Sequence, residues 1–130
     1  MTDNTLNMDG MLRLSLMGGQ ARAFLCQSTR LVQDAQNIHH LSRVATAALG
    51  RLLTGASMMG AMLKDDRDSL TAYVKGGGPL GTVLAVARAD GSVKGYVDNP
   101  DIEPPLRPDG KLDVGGAVGK NGQLTVIKDL

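Results

Sequence analysis

Few residues of this chain have types and spacings that could carry chemistry, and each can be tested against what that chemistry demands. Gly76, Gly78 and Gly81 stand as G-x-G-x-x-G. In a dinucleotide fold that pattern opens a helix whose N-terminus meets a pyrophosphate. Only eight residues separate Gly81 from the turn pair Asp90-Gly91, and a parallel crossover takes about a dozen or more. Gly76 and Gly81 also have the separation of P-loop glycines, but Thr82-Val83 stands where Lys and then Ser/Thr are required. Gly76–Gly81 therefore reads as a wide glycine turn between antiparallel strands, with a nucleotide- or phosphate-binding protein kept as the alternative function.

The other groups fare no better as catalysts. Gly55 to Gly60 is one residue too long for G-x-S-x-G around Ser57, and it lies in a helical pattern rather than at a strand-to-helix elbow. Cys26 with His39 or His40 would suggest a thiol enzyme, yet nothing in the sequence orients them, and a lone cysteine on a strand is ordinarily small core filler. His39 and His40 point about 100° apart on a helix and have no other donor at ligand spacing, so they read as a joint between helices rather than a metal site. Asp65, Asp66 and Asp68 read as a solvated corner. No catalytic constellation emerges, and the chain is expected not to be an enzyme. Met58, Met59 and Met62 remain. Unbranched thioethers adapt to varied partners, although methionine as core filler is the plainer reading.

These residues hang on a set of elements legible from periodicity. Leu41 to Lys64 is apolar and small with a thin polar stripe at Arg43, Thr46, Arg51, Thr54, Ser57 and Lys64, close to a period of 3.6. It predicts one long buried central helix of ~35 Å, N-capped by Ser42. Arg51 near its middle argues against a membrane span, since a central arginine costs about 2.5–3.5 kcal/mol on insertion scales. Upstream, Met11–Met17 and Gln20–Gln27 alternate as strands, with Leu12, Leu14, Leu16 on one face of the first and Ala21, Ala23, Leu25 on one face of the second. Gly18-Gly19 supplies a two-residue turn between them. Thr29–Ile38 predicts a short amphipathic helix. Downstream, Leu70–Lys75, Val83–Ala89, Val93–Val97 and Leu124–Ile127 predict strands, with a type I′ turn at Asp90-Gly91. Asp113 is positioned to cap a short helix through Val118. Four of the five prolines fall between Asn99 and Gly110, which is loop.

The chain has 130 residues, enough for one domain, and a net charge of +1. That balance gives no electrostatic case for nucleic acid, and Phe24, Tyr73 and Tyr96 are too few for a base-stacking platform. Residues 1–10 read as a polar, flexible N-terminal tail without a secretory signal, and residues 11–130 as one α+β domain, mainly antiparallel stacked sheets around the central helix. The single Cys26 permits no intrachain disulfide and points to a reducing compartment. A strand running into the last residue suggests a core domain that continues further.

Taken as an ordered set, several strings resemble the heat-shock protein 33 family of redox-regulated chaperones. They are Ala-Ala-Leu-Gly-Arg at 47–51, Met-Met-Gly-Ala-Met-Leu-Lys at 58–64, Lys-Gly-Gly-Gly-Pro-Leu-Gly at 75–81, Gly-Tyr-Val at 95–97, Gly-Lys-Leu-Asp-Val at 110–114 and Leu-Thr-Val-Ile-Lys-Asp-Leu at 124–130. The resemblance implies an ATP-independent holdase of the cytoplasm. Such a protein binds unfolding clients under heat or oxidative stress and is dimeric when active. It also implies an α+β core around a buried helix. In full-length members a separate C-terminal module carries Cys-x-Cys and Cys-x-x-Cys pairs that hold zinc when reduced and form disulfides when oxidised. This chain has neither pair, so no zinc or other cofactor is expected here, and the chain reads as a truncated core. Met58, Met59 and Met62 become the client-binding candidates. The implied partners are unfolded proteins and a second copy of the chain, with strand exchange as one route to the homodimer. No nucleic acid or membrane partner is implied.

Overall fold

The computed structural model describes residues 9–130, and within them the chain is an α+β fold. Strands β1 (Gly10–Leu16) and β2 (Ala21–Gln27) form an antiparallel hairpin. Helices α1 (Thr29–His39) and α2 (Arg43–Gly60) follow. Then come β3 (Ser69–Lys75), β4 (Val83–Arg88), β5 (Val93–Val97), a short α3 (Val114–Val118) and β6 (Gln123–Asp129). The last four strands make a fully antiparallel sheet in the order β5-β4-β3-β6.

The core lies between α2 and the inner face of that sheet. Alternation sends Leu70 and Ala72 of β3, Val83, Ala85 and Ala87 of β4, and Val97 of β5 to one side, where all are buried. Val44, Leu49 and Leu53 of α2 meet them and are also buried. Burying each of these larger side chains contributes about 1.5–3 kcal/mol. The sheet's small alanines let the helix sit close. Gly60 has no room for a side chain, because a Cβ there would lie 2.5 Å from the Arg88 carbonyl oxygen.

The central helix differs from expectation in two respects. It ends at Gly60 rather than Lys64, and Ala61 to Leu63 leave it through a tight turn in which Met62 N–H donates to Met59 O. It is also buried on one face only, since Arg43 and Arg51 are exposed and Thr46, Ala47, Thr54 and Met58 are half-buried. The thin polar stripe marks a face left open on the described residues. Ser42 caps it as expected, its hydroxyl accepting from Ala45 N–H at 3.1 Å. None of the described helices is long and apolar enough to cross a membrane.

The loops also depart from the simplest reading. The hairpin turn takes four residues, Met17–Gln20, with Gly18 and Gly19 at φ 65° and 90°. At Asp90-Gly91 only Gly91 has positive φ, and its N–H donates to Arg88 O, so the turn is not type I′, which needs two such residues. Residues 1–8 of the expected tail lie outside the described residues. Asp9 and Gly10 belong to the fold: Gly10 opens β1, and the Asp9 carboxylate accepts from the Arg30 and Leu31 N–H groups at 2.9 and 2.7 Å. It caps α1 from a distance because the nearer candidate, Ser28, bonds Thr54 instead at 2.7 Å.

Candidate functional site

The glycine loop is built to hold structure. Gly78 N–H and Leu80 N–H donate to the Val118 and Ala117 carbonyls at the end of α3, each at 3.0 Å. A Cβ on Gly76 or Gly78 would strike those same carbonyls. The Asp98 carboxylate stands against Gly81 and accepts from Thr82 N–H at 2.9 Å. A phosphate cradle needs free N–H groups converging on an anion. This loop spends N–H groups on carbonyls and has a carboxylate beside it, which is the wrong polarity.

Ser57 is buried and its hydroxyl donates to Gly91 O at 2.5 Å. The Asp65 carboxylate bonds Arg67, and Asp68 accepts from the Asp65 N–H. His40 ends α1 in the left-handed region, at φ 53°, as a joint between the two helices. Cys26 sits opposite Met11 in the hairpin register, and burial together with the nearby Asp9 charge pushes its thiol pKa up, so it is a poor nucleophile at neutral pH. Cys26 is the chain's single cysteine, and no cluster of three or more His, Cys, Asp or Glu among the described residues could hold a metal.

Among the described residues, three stretches of apolar surface stand out. The first is the hairpin. Its register sets Leu12 against Leu25, Leu14 against Ala23 and Leu16 against Ala21 on one face. That face is turned outward, with Leu12 55% and Leu25 58% exposed. The opposite face carries Met11, Phe24 and Cys26, and Met11 and Cys26 line a small cavity with Leu31, Ser57 and Gly91. The second is β6, where Leu124 and Ile127 are 57% and 54% exposed. The third is the open face of α2. Here α1 and α2 enclose a groove of about 540 Å³ whose lining includes Val32, Ala47, Gly50, Thr54 and Met58. Gly50 is what lets α1 come so near, since a Cβ there would lie 2.8 Å from a Val32 methyl.

The three methionines are not brought together as one surface. Met58 lines the α2 groove, Met59 packs against the core, and Met62 is 44% exposed beyond the helix end. The sequence singled out Met58, Met59 and Met62, and neither the leucine row nor β6 stood out in it as exposed apolar surface. Their alternation was visible, but which face turns outward is a tertiary fact.

Comparison with known proteins supplies the family. The family model described as Hsp33 protein matches residues 9–130. The 33 kDa chaperonin of Clostridioides difficile is 50% identical over 122 residues, covering 94% of this chain and 42% of that protein. That of Alkaliphilus metalliredigens is 52% identical over 120 residues, covering 92% of this chain and 41% of that protein. The crystal structure of the 33 kDa chaperonin (heat shock protein 33 homologue) of Thermotoga maritima superposes with a TM-score of 0.86 at 36% identity, over 92% of this chain and 41% of that one. The chain thus spans about two-fifths of the length of these relatives. With a family model matching nearly its whole length and a fold shared with a solved relative, the chain belongs to the Hsp33 family.

Proposed function

We propose that this chain is the N-terminal core of an ATP-independent holdase that keeps unfolding proteins from aggregating. The observation that carries the reading is exposed apolar surface, on the hairpin, on β6 and along α2, in a chain whose relatives are named chaperonins. Large exposed apolar patches mark interaction sites. No catalytic step is assigned to it, and the packing of the Gly76–Gly81 loop supports a function without nucleotide. The protein works in the cytoplasm, and its active form is a homodimer. Met58 contributes to client contact from the α2 groove, and exposed Met62 from beyond the helix. Met59, packed against the core, acts by holding α2 in place.

The test is light scattering from a heat-unfolding client, with and without this chain, in reductant and then in peroxide. Equal suppression in both is expected, because a single cysteine cannot form the paired-cysteine switch of longer members. No suppression in either condition overturns the reading. Suppression under peroxide alone would show redox control and overturn the switch-free form of it.

A further inference from the structure

We propose that the open face of α2 is a binding site for acidic, apolar polypeptide segments. The inference rests on the client-binding reading and adds the class of segment bound. On one side of α2 lies the apolar groove described above. On the other side, α2 and the 106–115 segment frame a cleft of about 610 Å³. Leu106, Leu112 and Val114 give that cleft apolar walls, and four cations line it: Arg43, Arg51, Arg107 and Lys111. Arg43 and Arg51 belong to both depressions, so one continuous surface wraps the helix ridge.

The charges facing this surface do not cancel. Arg43 pairs with Glu103 at 3.3 Å, and Arg107 pairs with Asp109. Asp113 accepts from the Gly116 N–H at 3.0 Å and its charge acts on Arg107, which leaves four cations against three carboxylates around the cleft. Arg51 and Lys111 have no carboxylate partner among the described residues. Two uncommitted cations over apolar ground select a ligand with carboxylates beside apolar side chains. Charge complementarity of this kind decides which partners are accepted.

The probes are two dye-labelled 14-residue peptides sharing the same leucines and valines, one with four glutamates and the other with four lysines at the same positions. Binding to the intact chain is read by fluorescence anisotropy. At low salt the glutamate peptide is expected to bind at least about tenfold more tightly, and the gap should narrow to about threefold or less near 0.5 M salt as the charges are screened. The double variant Arg51→Glu, Lys111→Glu should weaken the glutamate peptide about tenfold and strengthen the lysine peptide. Both side chains lie on the surface outside ion pairs, so its melting curve should stay that of the parent. Equal binding of the two peptides, binding of neither, or a double variant that leaves the glutamate peptide unchanged overturns the site. Peptide binding is read apart from client aggregation. Suppression without peptide discrimination removes this site and leaves the holdase reading, whereas discrimination without suppression does the reverse.

Discussion

Ser42 shows how much one hydroxyl can do at the entrance of α2. It accepts from Ala45 N–H at 3.1 Å and donates to Ile102 O at 2.5 Å, tying the helix start to a loop sixty residues on. Ser42→Ala removes both bonds and leaves a part-buried carbonyl unpartnered. The expected loss is about 1–3 kcal/mol, read as a lower urea midpoint with an unchanged slope. Asp109 illustrates the pH side. The Arg107 guanidinium holds its carboxyl below the ordinary value of 3.8, as Arg67 does for Asp65. A depressed folded pKa gives stability that is present above the unfolded value and is lost as pH falls through the folded one. The melting temperature should therefore drop slightly below about pH 4, and added salt should shrink that drop because both pairs are surface pairs. Cys26 goes the other way. Its raised pKa keeps the thiol protonated, so alkylation at neutral pH should be several-fold slower in the folded chain than in urea. The caps at Ser42 and Asp113 were legible in the sequence because their partners lie three residues away. The part played by Gly78 was not, because the carbonyl it meets belongs to Val118.

At the scale of elements, periodicity located each strand and helix to within a few residues but not the direction in which it faced. The hairpin is the clearest case. Alternation put Leu12, Leu14 and Leu16 on one face, and nothing local says whether that face meets core or water. Here the core already has its cover from α2, so the leucine row is left outward. The pair Leu12→Lys, Leu25→Glu sits cross-strand with opposite charges. It should lower hydrophobic-dye fluorescence and weaken client suppression while shifting stability by no more than about 0.5 kcal/mol, as substitutions on exposed positions do. A large loss of stability instead would show that the row is packed in solution. The end of α2 was misplaced for a similar reason. The apolar run continues to Leu63, but Gly60 presses on the Arg88 carbonyl, and the chain must turn away there. The same close packing explains Gly50. Filling it, as in Gly50→Leu, would drive a side chain into Val32 and separate α1 from α2, with an expected cost of about 1–3 kcal/mol in a melting experiment.

For the whole molecule, the sheet order decides what is left to bind. Each pairing of neighbours in sequence, β3 with β4 and β4 with β5, could be read from the turns between them. The pairing of β6 with β3 could not, since it joins residues 69–75 to 123–129 across the whole proline-rich loop and α3. That long-range pairing puts β6 at the edge of the four-stranded sheet, with one side bonded to β3 and the other unpaired among the described residues. Within β6, Leu124 and Val126 share the inner-face rows of Val74 and Ala72, while Ile127 lies on the outer face beside Thr71. An edge seven residues long, free of proline and carrying exposed Leu124, Val126 and Ile127, is a template for another strand. A second copy offers the same edge, and two such edges can close on one another with twofold symmetry. Self-association should thus rise with concentration between about 1 and 100 μM in sedimentation velocity, as mass action requires. Leu124→Lys with Ile127→Lys puts a cation on each face of that edge without touching the bonds to β3, and should hold the chain monomeric across the same range. If the parent chain stays monomeric throughout, the edge is not a dimer contact. If the lysine variant dimerises like its parent, the contact lies on the hairpin or on α2 instead. Client suppression by the monomeric variant then separates the two uses of apolar surface, because a holdase that needs only the α2 face and the leucine row loses nothing when β6 is charged.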